Sequence, residues 1–89
     1  MSNVFIALQA NEETRPIVEA IVIDNPHAVV KYEPAMVKID AAGHLTIRKE
    51  TIEAQLGAAY DLQALQVNLI TLSGNVDETD DTFTLRWNS

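Results

Sequence analysis

The chain has no cysteine, which excludes disulfide bridges, a thiolate nucleophile and a cysteine-ligated zinc site. Glycine is scarce. Its 3 copies, Gly43, Gly57 and Gly74, are too scattered to form a phosphate-cradling loop. Basic residues are few: 6 against 13 acidic ones, a net charge of −7 over 89 residues. Such a surface repels nucleic acid and anionic membranes. It suits solubility and a meeting with a positive patch on another protein. No apolar run approaches the roughly 20 residues of a membrane span. The opening MSNVFIALQ lacks the basic and long apolar regions of a signal peptide, so a cytoplasmic location is expected. The length predicts one domain, residues 1–89.

What is present is regular patterning. Val4–Leu8 is a short apolar strand candidate. Asn11 or Thr14 is placed to cap a helix that accepts Pro16 in its first turn and buries Ile17, Ala20 and Ile21 on one face. Pro26 biases Asn25 away from helix, so this helix should stop near Asp24. Val29–Glu33 reads as a β-branched strand with Val29 in the core, which Pro34 ends. Met36–Asp40 and His44–Arg48 both alternate apolar with polar residues, and the short Ala41-Ala42-Gly43 link predicts that they pair as a hairpin. Lys49–Leu56 reads as a helix stopped by Gly57, and Asp61 as the cap of a turn through Leu65. Gln66–Leu72 reads as a strand buried largely on both sides, with Gly74 interrupting it. Thr82–Trp87 is the last strand. The expected order is β-α-β-β-β-α-β-β, an α+β domain with a mainly antiparallel sheet and two helices.

Sites for chemistry are hard to find. The acids Asp77, Glu78, Asp80 and Asp81 fail the calcium-loop test, since the sixth position from Asp77 is Thr82 and the twelfth is Asn88. They read as a solvated turn between two strands. His27 follows Pro26 and reads as a loop residue, and His44 as an exposed strand start. Ser2, Ser73 and Ser89 are the only serines, and no nucleophile elbow surrounds Ser73. Phe83 and Trp87, at strand spacing, read as core or edge packing. These residues argue against self-contained catalysis and for a function that lies in what the chain binds.

Several stretches taken together resemble a known family: DNP at 24–26, AMVKID at 35–40, RKETI at 48–52, Leu56-Gly57, and above all DLQALQVNLITLSGNVDE at 61–78. They are similar to the regulatory component of bacterial multicomponent phenol hydroxylases, in the methane monooxygenase component B family. The resemblance runs through nearly the whole chain in order. It implies a compact α+β protein with no cofactor, metal or redox centre of its own. The implied partner is the large subunit of a di-iron hydroxylase, bound over the active site. The implied effect is on oxygen activation, substrate access and coupling to NADH during hydroxylation of phenol or related aromatics. Matched by position, it carries Asn68, Ile70, Thr71, Leu72, Ser73 and Gly74 into the hydroxylase interface. Ile70 and Leu72 stand where methane-oxidising relatives have smaller polar residues. Those relatives also carry long terminal extensions, so a role for a tail is expected to be absent or reduced here.

Two readings compete. A ferredoxin-like small-molecule sensor would show a concave pocket with convergent polar groups, for which Gln66, Asn68 and His44 are the available candidates. An enzyme with a lone Asp or Glu base would need a partner group of opposed pKa, and none is apparent.

Overall fold

The structure is a computed structural model that describes residues 3–87; Met1, Ser2, Asn88 and Ser89 lie outside it. The elements in chain order are β1 (Asn3–Gln9), α1 (Arg15–Asp24), β2 (Val29–Tyr32), β3 (Met36–Ala42), β4 (His44–Arg48) and α2 (Lys49–Leu56). A 3₁₀ turn (Leu62–Ala64), α3 (Leu65–Asn68), β5 (Leu69–Ser73), β6 (Asn75–Glu78) and β7 (Thr82–Arg86) follow. The expected α+β class and element order hold, with α3 and β6 added to them.

Two antiparallel sheets share one core. The first has the order β2-β3-β1-β5 and the second β4-β7-β6. In β1, β3, β4 and β7 the alternating apolar residues Val4, Ile6, Leu8, Val37, Ile39, Leu45, Ile47, Phe83 and Leu85 point inward and are buried. Helix α1 adds Ile17, Ala20 and Ile21 at helical spacing, with Val18 beside them, and α2 adds Ile52. Helix α1 ends at Asp24, one residue before the position that Pro26 restricts. Gly57 follows α2 in the left-handed conformation.

The expected hairpin does not form. β3 pairs with β1 and β2, whereas β4 pairs with β7, so the two strands belong to different sheets. Gly43, at φ 84, turns the chain from one sheet to the other. Alternation places a side chain inward or outward but leaves the partner strand unspecified. Val29 is also misplaced as core: it is 56% exposed on the edge strand β2, so a charge there would stay in water.

The segment read as one strand from Gln66 is helical through Asn68 and extended only from Leu69. Leu62 and Leu65 are both buried, and Asp61 starts the turn by accepting the Gln63 N–H at 3.0 Å. That local pattern wins over strand propensity. Nor is β5 buried on both faces, because it lies at a sheet edge with Ile70 and Thr71 exposed. The acidic turn is shorter than expected. Asp77 and Glu78 lie on β6, paired with β7, and only residues 79–81 form the turn. Thr79 closes it, its N–H donating to the Thr82 carbonyl at 2.8 Å and its Oγ1 accepting the N–H groups of Asp81 and Thr82.

Candidate docking surface

Among the described residues, no three His, Asp or Glu side chains gather at metal-binding distance. His27 and His44 stand side by side with ring centroids 5.3 Å apart, and His27 Nε2 lies 3.1 Å from the His44 carbonyl. Both are exposed, His27 in a loop and His44 at the start of β4.

A groove of about 590 Å³ lies between the start of α1 and the β2–β3 edge, lined by Asn11, Thr14, Arg15, Val18, Tyr32 and Val37 among others. Several of its polar groups are already engaged. Asn11 Oδ1 accepts the Thr14 N–H at 3.0 Å, the Thr14 hydroxyl donates to the Gln9 carbonyl at 2.7 Å, and Arg15 lies 3.6 Å from Glu12. A sensor site needs convergent free donors and acceptors, and Asn11, Thr14 and Arg15 are tied up in these bonds. Gln66, Asn68 and His44 are not part of its lining.

The resemblance pointed to residues 68–74, and the structure places them in three settings. Ile70 (46% exposed) and Thr71 are on the outside of β5. Leu72, Ser73 and Gly74 are half-buried, and Leu72 packs against the core. Asn68 is buried, with its Oδ1 accepting from Asn11 Nδ2 at 3.0 Å.

Among the described residues, β5 is an edge strand with β1 as its one sheet neighbour, so the other side of its backbone is unpaired in the sheet. Its register to β1 runs Phe5↔Ser73, Ile6↔Leu72, Ala7↔Thr71, and then Leu8↔Leu69. Ile70 is therefore the extra residue of a bulge, which re-aims a side chain outward. Val67, 69% exposed on α3, adds an apolar side chain just before this strand. The bulge is at Ile70 and not at Gly74, which does a different job. At φ 127 it takes the chain from the first sheet to the second, and a Cβ there would lie 2.9 Å from Val4 Cγ1. Glycine is needed there for both dihedral and space. Beyond it, β6 presents Asp77 and Glu78 to solvent, with Asp77 paired to Arg86 at 3.0 Å. An apolar, hydroxyl-bearing edge thus continues into an acidic one.

The sequence profile of the MmoB/DmpM family matches residues 2–86. The chain is a member of that family. It is 55% identical over 86 residues to the stimulatory component DmpM of phenol 2-monooxygenase from Pseudomonas sp. (strain CF600), covering 97% of this chain and 96% of that one. A chain in a structure of a phenol hydroxylase–regulatory protein complex superposes with a TM-score of 0.93 at 45% identity, covering 98% of this chain and 100% of that one. The soluble methane monooxygenase regulatory protein B shares the fold, with a TM-score of 0.76 at 20% identity; the match covers 97% of this chain and 65% of that one.

The sequence missed the Asn11–Asn68 bridge and the role of Asn25. Asn25 Nδ2 donates to the carbonyls of Ile21 (2.7 Å) and Thr46 (2.6 Å), and Oδ1 accepts the Thr46 N–H at 2.9 Å. It stitches the end of α1 to β4. No local signal identifies either pair, since each joins residues distant in sequence.

Proposed function

We propose that this member of the MmoB/DmpM family is the cofactor-free effector of a di-iron phenol or toluene monooxygenase. It docks on the large subunit of the hydroxylase and tunes oxygen activation, substrate access and coupling to NADH. The observation that carries this reading is the 55% identity, over nearly the full length of both chains, to a phenol 2-monooxygenase stimulatory component. A protein without reactive groups regulates by binding one conformation of its partner more tightly than another.

The docking surface in this proposal is β5 and its far flank, Ile70, Thr71, Leu72, Ser73 and Gly74, with Asn68 buried at the root of the strand. Ile70 and Thr71 supply direct contacts from the exposed face. Ser73 and Gly74 allow close approach of the backbone, and Leu72 fixes the strand to the core. Short hydroxyls at Thr71 and Ser73 lose little rotamer entropy on ordering. The unpaired backbone of β5 offers hydrogen bonds to an incoming segment. The working location in this reading is the cytoplasm, and no described helix is long and apolar enough to cross a membrane.

The test is a titration of the chain into purified phenol hydroxylase with its reductase, NADH and phenol. The expected result is a saturable rise in product formed per NADH consumed. A flat response from a folded chain would refute the effector reading for that hydroxylase class.

A further inference from the structure

β5 is held by less than an ordinary strand. It has one sheet neighbour, and the bulge at Ile70 interrupts even that ladder. Its far end is fixed where Gly74 packs against Val4. Its near end has no strand pairing before Leu69, and a side-chain bridge takes over instead. Asn68, 4% exposed, accepts a hydrogen bond from Asn11 Nδ2 at 3.0 Å across 57 residues of sequence.

Asn11 is itself firmly placed. Its Oδ1 accepts the Thr14 N–H at 3.0 Å, and its own N–H donates to Thr14 Oγ1 at 3.2 Å. The Thr14 hydroxyl is anchored to the carbonyl of Gln9, the last residue of β1. The bridge therefore ties the root of β5 to the turn leaving its only neighbour. Asn68 Nδ2, by contrast, is buried without a partner among the described residues. A donor left unsatisfied in the interior is unfavourable. An apolar residue would avoid that, but it could not accept from Asn11.

We propose that Asn11 and Asn68 form a latch that sets the position of β5, and that Asn68 acts on hydroxylase docking through this latch and not by touching the hydroxylase. The docking half of the proposal rests on the effector reading. The latch itself belongs to the free protein. Asn68 is a positioning residue: its side chain lies inside, and what reaches the outside is the placement of Ile70 and Thr71. A single hydrogen bond holds the amide, so the latch is easily broken by substitution while the core remains intact.

The test uses Asn11→Ser, Asn68→Ala and the double variant. Serine at 11 keeps an oxygen for the Thr14 N–H but is too short to reach Asn68. The first readout is amide hydrogen exchange in the free protein. The β5 amides should exchange up to about tenfold faster in all three variants, while β4 and β7 match the parent. The second readout is the affinity for purified phenol hydroxylase. Each single variant should bind up to about tenfold more weakly, and the double no more weakly than Asn68→Ala. Unchanged β5 exchange in Asn11→Ser would overturn the latch, whatever the hydroxylase does. Weakened binding in Asn68→Ala with parental binding in Asn11→Ser would make Asn68 a direct contact and overturn the proposal. Faster exchange as expected, with no binding even by the parent chain, would refute the effector reading and leave the latch standing. If Asn68→Ala fails to fold, Asn11→Ser at the surface decides on its own.

Discussion

At the scale of single residues, Asn25 carries more structure than any ion pair in the molecule. It is 1% exposed and makes three hydrogen bonds to backbone groups, two of them to Thr46. Asn25→Ala takes away the side-chain partner of the Thr46 N–H and carbonyl, while the Ile21 carbonyl keeps the backbone N–H of residue 25, at a cost of about 2–4 kcal/mol. The expected drop in melting temperature is about 10 °C or more, read by calorimetry. Tyr60 is a second sensitive point. Burial, aided by the negative charges of Glu13 and Asp61, pushes its phenol up to about 12. The folded state thus holds this proton more tightly than the unfolded chain, whose tyrosine ionises near 10. Its contribution is complete below about pH 10 and is lost as the pH climbs toward 12. Tyr60→Phe should flatten the fall in the urea midpoint across that window. Neither residue was legible beforehand. The Asn25-Pro26 pair showed only where a helix ends, and the strand that Asn25 would meet lies 21 residues away.

At the scale of elements, the docking proposal concentrates on one bulged edge strand. Thr71→Trp puts a large side chain on the exposed face of β5, where the fold has room and a seated partner does not. Hydroxylase affinity should fall by about 2 kcal/mol, roughly thirtyfold, with the melting temperature nearly unchanged. Equal affinity for parent and variant would move the interface away from this face. Element type was largely readable from period, because a strand alternates and a helix returns every three to four residues. Pairing was not readable, as β3 and β4 show. Their alternation is equally satisfied by neighbours in two different sheets. The location of the candidate docking segment came from resemblance over residues 61–78, while the bulge at Ile70 and the burial of Asn68 needed the three-dimensional register.

At the scale of the whole molecule, the net charge of −7 sets how the chain meets a partner. The acids on β6 continue directly from the docking strand, so a positive patch beside the hydroxylase site would steer the encounter. Raising ionic strength from 0.01 to 0.15 M shortens the screening length from roughly 30 to 8 Å. Stopped-flow association should then slow by about tenfold, with a smaller change in dissociation. Indifference of the association rate to salt would remove steering from the picture. The pairing of Phe5 with Ser73 has a consequence for the order of assembly. All of α1, β2, β3, β4 and α2 lie between β1 and its outer neighbour in sequence, and such long-range pairings form slowly. A chain cut after α2 already has every other strand of the first sheet and lacks β5. On the docking proposal, such a fragment would not compete with the longer chain for the hydroxylase.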